Sequence, residues 1–144
     1  MKHLFVYIIV LLSVTMAALS CSKPSYEPSY DSLTLVVSGV ACDKNSGEVL
    51  EGIRIHLYAA GNSEAGEDKI QTNSVYTDNR GYFTLTAKGF TGPVSCTITA
   101  EDRNGIYGFE RQDLKVSWSG TSFDTYTGNF YVNDCNFYME KMLE

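Results

Sequence analysis

Ile53-Arg54-Ile55-His56-Leu57-Tyr58-Ala59 sets an aliphatic or small side chain at every second position, with polar or amphipathic ones between. A period of two is what a half-buried strand requires, because successive side chains point to opposite faces. The same alternation returns in Tyr82-Phe83-Thr84-Leu85-Thr86-Ala87 and in Val94-Ser95-Cys96-Thr97-Ile98-Thr99-Ala100. β-Branched and aromatic residues dominate these runs, which favours strands over helices. Working outward, the pattern predicts strands over 34–42, 53–60, 70–78, 81–87, 94–101, 107–117 and 129–140.

Turn residues separate the runs: Asn45-Ser46-Gly47, Asp78-Asn79-Arg80-Gly81, Thr91-Gly92-Pro93 and Asp102-Arg103-Asn104-Gly105. Each combines a bend with glycine or a residue tolerant of left-handed backbone. Thr77 to Phe83 reads as a hairpin with Gly81 at positive φ. The polar stretch 62–68 reads as a loop. Seven short strands without a convincing helix point to an all-β sandwich over 34–144.

The chain begins differently. After Lys2 and His3, the 16 residues from Leu4 to Leu19 carry no charge. That is shorter than the roughly 20 residues needed to span hydrocarbon, so the stretch reads as the apolar region of a signal peptide over 1–20. Ala18 and Ser20 supply the small residues of a cleavage site before Cys21. Residues 21–33 contain two prolines and several serines. They lack the apolar area needed to offset their ordering entropy, and read as a tether.

Ala18-Leu19-Ser20-Cys21 resembles the lipobox of bacterial lipoproteins, with Ala where Leu is usual. The resemblance implies cleavage between Ser20 and Cys21, a diacylglyceryl group on the Cys21 sulfur, and acylation of the new amino terminus. Several acyl chains anchor stably, since each buried CH₂ contributes about 0.8 kcal/mol. The membrane, reached through this lipid, is thus one partner. Ser22 after the cysteine implies delivery to the outer membrane of the cell envelope.

The stretch Val37-Ser38-Gly39-Val40-Ala41-Cys42-Asp43, with Asn45 to Ile55 after it, resembles the opening of carboxypeptidase regulatory-like domains. The family's Thr-Asp-x-x-Gly-x-Phe is matched by Thr77, Asp78, Gly81 and Phe83, while Ala41, Ser46 and Val49 depart from its pattern. The resemblance implies an immunoglobulin- or transthyretin-like sandwich. A nearer likeness is to small lipoproteins whose genes neighbour radical-SAM proteins. Their acidic turn and Gly-x-Phe segments are similar to Ala100–Gly105 and Gly128-Asn129-Phe130.

Catalytic groups are scarce. His3 leaves with the leader, and His56 alternates away from the core, so a Ser-His or Cys-His couple has one available base and no matching signature. Cys42, Cys96 and Cys135 are spaced unlike zinc ligands. Cys96 and Cys135 face the core side of their strands; they read as buried free thiols or, in an oxidising compartment, as a bridge. Asp102 to Gly105 resembles the start of a calcium loop but lacks its distal glutamate, and turn chemistry accounts for it without a metal. No catalytic residue, metal or cofactor is assigned.

The mature part holds ten Lys and Arg, without Lys2, against seventeen Asp and Glu. That balance, with cations scattered singly, argues against nucleic acid. Trp118, Phe123 and Tyr126 lie in a Ser/Thr/Gly-rich stretch that reads either as a packed loop or as an aromatic surface for an envelope protein or glycan. The reading that follows is a non-enzymatic, membrane-anchored binding or structural module. The alternative, resting on the gene neighbourhood of the family it resembles, is an accessory protein or modification substrate of a radical-SAM enzyme.

Overall fold

The computed structural model describes residues 33–63, 65–117, 122–124 (backbone) and 128–142. The leader, Ser20, Cys21 and the tether to residue 32 lie outside these, as do Trp118 and Tyr126. Nine strands are described: β1 (Leu33–Asp43), β2 (Arg54–Asn62), β3 (Asp68–Tyr76), β4 (Tyr82–Phe90), β5 (Val94–Glu101), β6 (Glu110–Val116), β7 (Ser122–Asp124), β8 (Asn129–Val132) and β9 (Phe137–Met139). One sheet runs β4-β1-β8-β7, with β9 also pairing β1; the other runs β3-β2-β5-β6. The β-sandwich expected from the period-two pattern is the fold observed.

Alternation builds the core directly. Leu33, Leu35, Val37 and Ala41 of β1 face Ile55, Leu57, Ala59, Ile98 and Ala100 of the other sheet's inner face, and all are fully buried. Phe83, Phe90, Phe130 and Phe137 fill the space between the layers. Each such side chain contributes about 1.5–3 kcal/mol by leaving water. Leu33, assigned to the tether from sequence, is a core residue at the first position of β1.

Three local expectations change. Residues 77–81 do not close a hairpin: β3 pairs β2, whereas β4 pairs β1 in the opposite sheet. The turn is a corner between layers. The run 129–140 divides into β8 and β9, giving, with the short β7, nine strands in place of seven. The break falls at Asn133–Asn136, where Asp134 takes φ +61. Phe123, expected in an aromatic loop, belongs to β7, which pairs antiparallel with β8.

The corner explains its own sequence. Buried Thr77 donates its hydroxyl to Leu50 O at 2.6 Å and accepts from Ile53 N–H at 3.0 Å, pinning the β1–β2 connection. Asp78 Oδ1 accepts the N–H groups of Arg80 and Tyr82, and these bonds hold its carboxyl below the usual range. Gly81 has φ +73, and a β-carbon there would stand 2.8 Å from Ala41 O.

Side-chain amides seal both flanks where strands of opposite sheets pass. Gln71 and Asn73 of β3 bind Lys88 N–H and Thr86 O on the outer edge of β4. On the other flank, Gln112 of β6 donates to Asn136 O at 2.6 Å.

Candidate functional site

The outer face of the four-stranded sheet gathers the polar groups that could meet a ligand. Register aligns them in rows across the strands: Tyr76–Arg54–Glu101, Ser74–His56–Thr99–Arg111, Thr72–Tyr58–Thr97–Asp113 and Ile70–Ala60–Ser95–Lys115. They share a face because the alternate residues of the same strands form the core.

Charges on this face are largely matched internally. Arg54 stands 3.7 Å from Glu101. Arg111 grips Asp113 through Nε and Nη2, at 3.0 and 2.9 Å, while Thr97 donates its hydroxyl to the same carboxylate at 2.6 Å. The Arg111 and Thr97 bonds hold the Asp113 carboxyl below its usual range. Among the described residues Lys115 has no ion-pair partner.

The last row carries small side chains in its middle. Ala60 and Ser95 leave a depression of about 380 Å³ on the β6 side, bounded by Tyr58, Thr97, Asp113 and Lys115. A second depression of about 340 Å³ continues over the same Ala60 and Ser95 toward Asp68, Lys69 and Ile70. Together they form a trough across the strands. Tyr58 is 40% exposed beside it, and Ile70 60%.

The structure brings together a pair that sequence reasoning missed. His56 Nδ1 lies 2.7 Å from Ser74 Oγ, as cross-strand neighbours. A nucleophilic serine also needs a group to orient the histidine and donors for an oxyanion. The pair borders a shallow depression lined by Arg54, His56, Thr99 and Glu101; the Glu101 carboxylate there pairs with Arg54, and among the described residues no carboxylate is hydrogen-bonded to His56. The arrangement satisfies two exposed polar side chains.

Cys96 and Cys135 are both free and buried, and Cys42 is half-buried on the outer face of β1. Burial raises the Cys96 thiol to about 11, helped by the neighbouring Cys135, and burial raises Cys135 to about 11. Cys135 donates to Gln112 Oε1 at 3.4 Å. The Asp102 carboxylate is taken up by N–H groups of Asn104, Ile106 and Tyr107, which is turn chemistry. Among the described residues no three His, Cys, Asp or Glu side chains are grouped to hold a metal ion.

Comparison with protein-family models and with curated proteins finds no match. Among solved structures, the chain is similar to chlorocatechol 1,2-dioxygenase from Pseudomonas putida, at 14% identity and TM-score 0.53, covering 81% of this chain and 63% of that one. It is also similar to 3-chlorocatechol 1,2-dioxygenase from Rhodococcus opacus 1CP, at 13% identity and TM-score 0.54, covering 81% and 62%. The chain thus spans less than two thirds of the length of either. At this identity the likeness is one of fold, and sites and activities do not travel with it.

Proposed function

We propose that the chain is a lipoprotein of the cell envelope, anchored through Cys21, whose sandwich acts as a non-enzymatic binding module through the outer face of its four-stranded sheet. The trough over Ala60 and Ser95 carries this reading. It is concave, lies on rigid strands and borders an exposed tyrosine, as ligand-binding surfaces commonly do. The Asp113 carboxylate beside it is matched by Arg111, and among the described residues no nucleophile with an oriented base adjoins it. The lipobox-like Ala18-Leu19-Ser20-Cys21 supports the anchor, and the tether would hold the domain off the bilayer.

Two readouts test it. Metabolic labelling with a fatty-acid analogue should mark the parent and be lost in Cys21→Ala; label retained in that variant would remove the anchor from Cys21. Retention of the protein on isolated envelopes after delipidation should fall when Ala60→Trp fills the trough. Unchanged retention would place binding on another surface.

A further inference from the structure

We propose that the trough across Ile70, Ala60, Ser95 and Lys115 binds an extended anionic saccharide, its rings lying against Tyr58 and its carboxylate meeting Lys115. The inference rests on the binding-module reading above and adds the class of ligand.

Shape comes first. The two depressions share Ala60 and Ser95, so the trough runs across four strands, or three inter-strand spacings, about 14 Å. It is elongated and shallow. Such a form suits a chain of linked rings better than a single compact molecule.

Direction excludes the commonest peptide mode. A peptide that adds to a sheet needs a free strand edge, where unpaired N–H and C=O groups give the affinity. Here the trough lies perpendicular to the strands, over β2 and β5, whose backbones are paired on both sides. What it offers instead is side-chain hydroxyls at Ser95 and Thr97, an apolar floor and the Tyr58 ring. Sugar rings present the matching surfaces, an apolar C–H face and a rim of hydroxyls.

Charge selects among saccharides. The Asp113 charge is offset by Arg111, whereas Lys115 is unpaired among the described residues. The exposed Lys115 ammonium favours one carboxylate at that end. At the far end Asp68 disfavours a second, and the nearby Lys69 ammonium lies over the Phe90 ring at 5.8 Å. The ligand is therefore oriented, anionic end toward β6.

Calorimetric titration of the full chain in detergent micelles tests this, with xylotriose bearing a single terminal glucuronate, neutral xylotetraose and pentaglutamate as probes. The glucuronate-bearing oligosaccharide should bind at least about threefold more tightly than xylotetraose, the scale of one exposed charge pair. Lys115→Gln should remove that preference, added salt should reduce it, and Ala60→Trp should abolish binding. Equal binding of both sugars, or uronate binding that survives Ala60→Trp, overturns the proposal. So does pentaglutamate binding as tightly as the uronate. If Ala60→Trp still lowers retention on envelopes while no saccharide binds, the ligand class fails and the binding module stands.

Discussion

The carbonyl oxygen of Cys135 occupies the place that a β-carbon on Gly39 would take. This contact explains why one stretch becomes two strands. β8 pairs with Thr34–Val37 and β9 with Ala41–Asp43, leaving Ser38–Val40 unpaired on that edge. Across the gap the chain turns inward. Cys135 N–H donates to Ser38 O at 3.0 Å, and Asn136 Oδ1 accepts from Val40 N–H at 3.0 Å. The backbone groups remain satisfied, and the Cys135 side chain enters the core.

Gly39→Ala should therefore destabilise the domain by about 1–3 kcal/mol, the range of core overpacking. The obstructing atom is backbone, so a rotamer change cannot relieve it. Urea denaturation measures the loss; a midpoint equal to that of the parent would mean that 133–136 does not cross Gly39.

Thr77→Val keeps the shape of the corner but removes its hydroxyl. Ile53 N–H loses its buried acceptor and Leu50 O its donor. Leaving such groups unsatisfied costs about 1–3 kcal/mol. Thr77→Ser, which retains the hydroxyl, should lose less in the same unfolding experiment. A loss in Thr77→Ser as large as or larger than that in Thr77→Val would show that the hydroxyl does not dominate the effect.

These two positions also mark what the sequence makes legible. Ile53 to Ala59 announces its strand because alternation is local, and the same holds for β4 and β5. Thr77, Asp78, Gly81 and Phe83 announce a turn, yet a turn's residues do not reveal whether the next strand joins the same sheet. Its neighbours β3 and β4 enter different layers, so the hairpin reading failed. Asn133–Asn136 interrupts β structure through an approach to Gly39, which lies far away in sequence. The trough is hidden for a related reason. Ala60, Ser95 and Lys115 are unremarkable singly, and only the register of β2, β5 and β6 places them in one row.

Acid should weaken the fold through its aspartates. Asp43 accepts the backbone N–H groups of Ser46 and Asn45, Asp78 those of Tyr82 and Arg80, and Asp113 is bound by Arg111 and Thr97; all three carboxyls are held below their ordinary value. A depressed folded value means stability that is fully present above the unfolded pKa, about 3.9. It is lost as pH falls through the lower folded values. Denaturant midpoints should thus hold steady from pH 7 to 5 and fall below about pH 4. Asp43→Asn and Asp78→Asn together should flatten that fall; an unchanged slope would exclude both groups.

The last prediction concerns the thiols. Attack on a maleimide proceeds through the thiolate, so reactivity follows pKa and access together. Cys96 and Cys135 are each 3% exposed, with thiols raised to about 11. At pH 8 roughly one molecule in a thousand would carry either thiolate, even before access is considered. Cys42 differs in access, being half-buried on the outer face between Val49 and Tyr138. In the native domain Cys42 should label first, while Cys96 and Cys135 wait for opening of the sandwich and gain rate with denaturant. Gly39→Ala should accelerate labelling of Cys135 in particular, because the segment carrying it loses its seat. Fast native labelling of Cys135 in the parent would mean that 133–136 does not stay packed. Failure of both cysteines to label after unfolding, reversed by a reductant, would show that the protein carries the Cys96–Cys135 bridge in place of two free thiols.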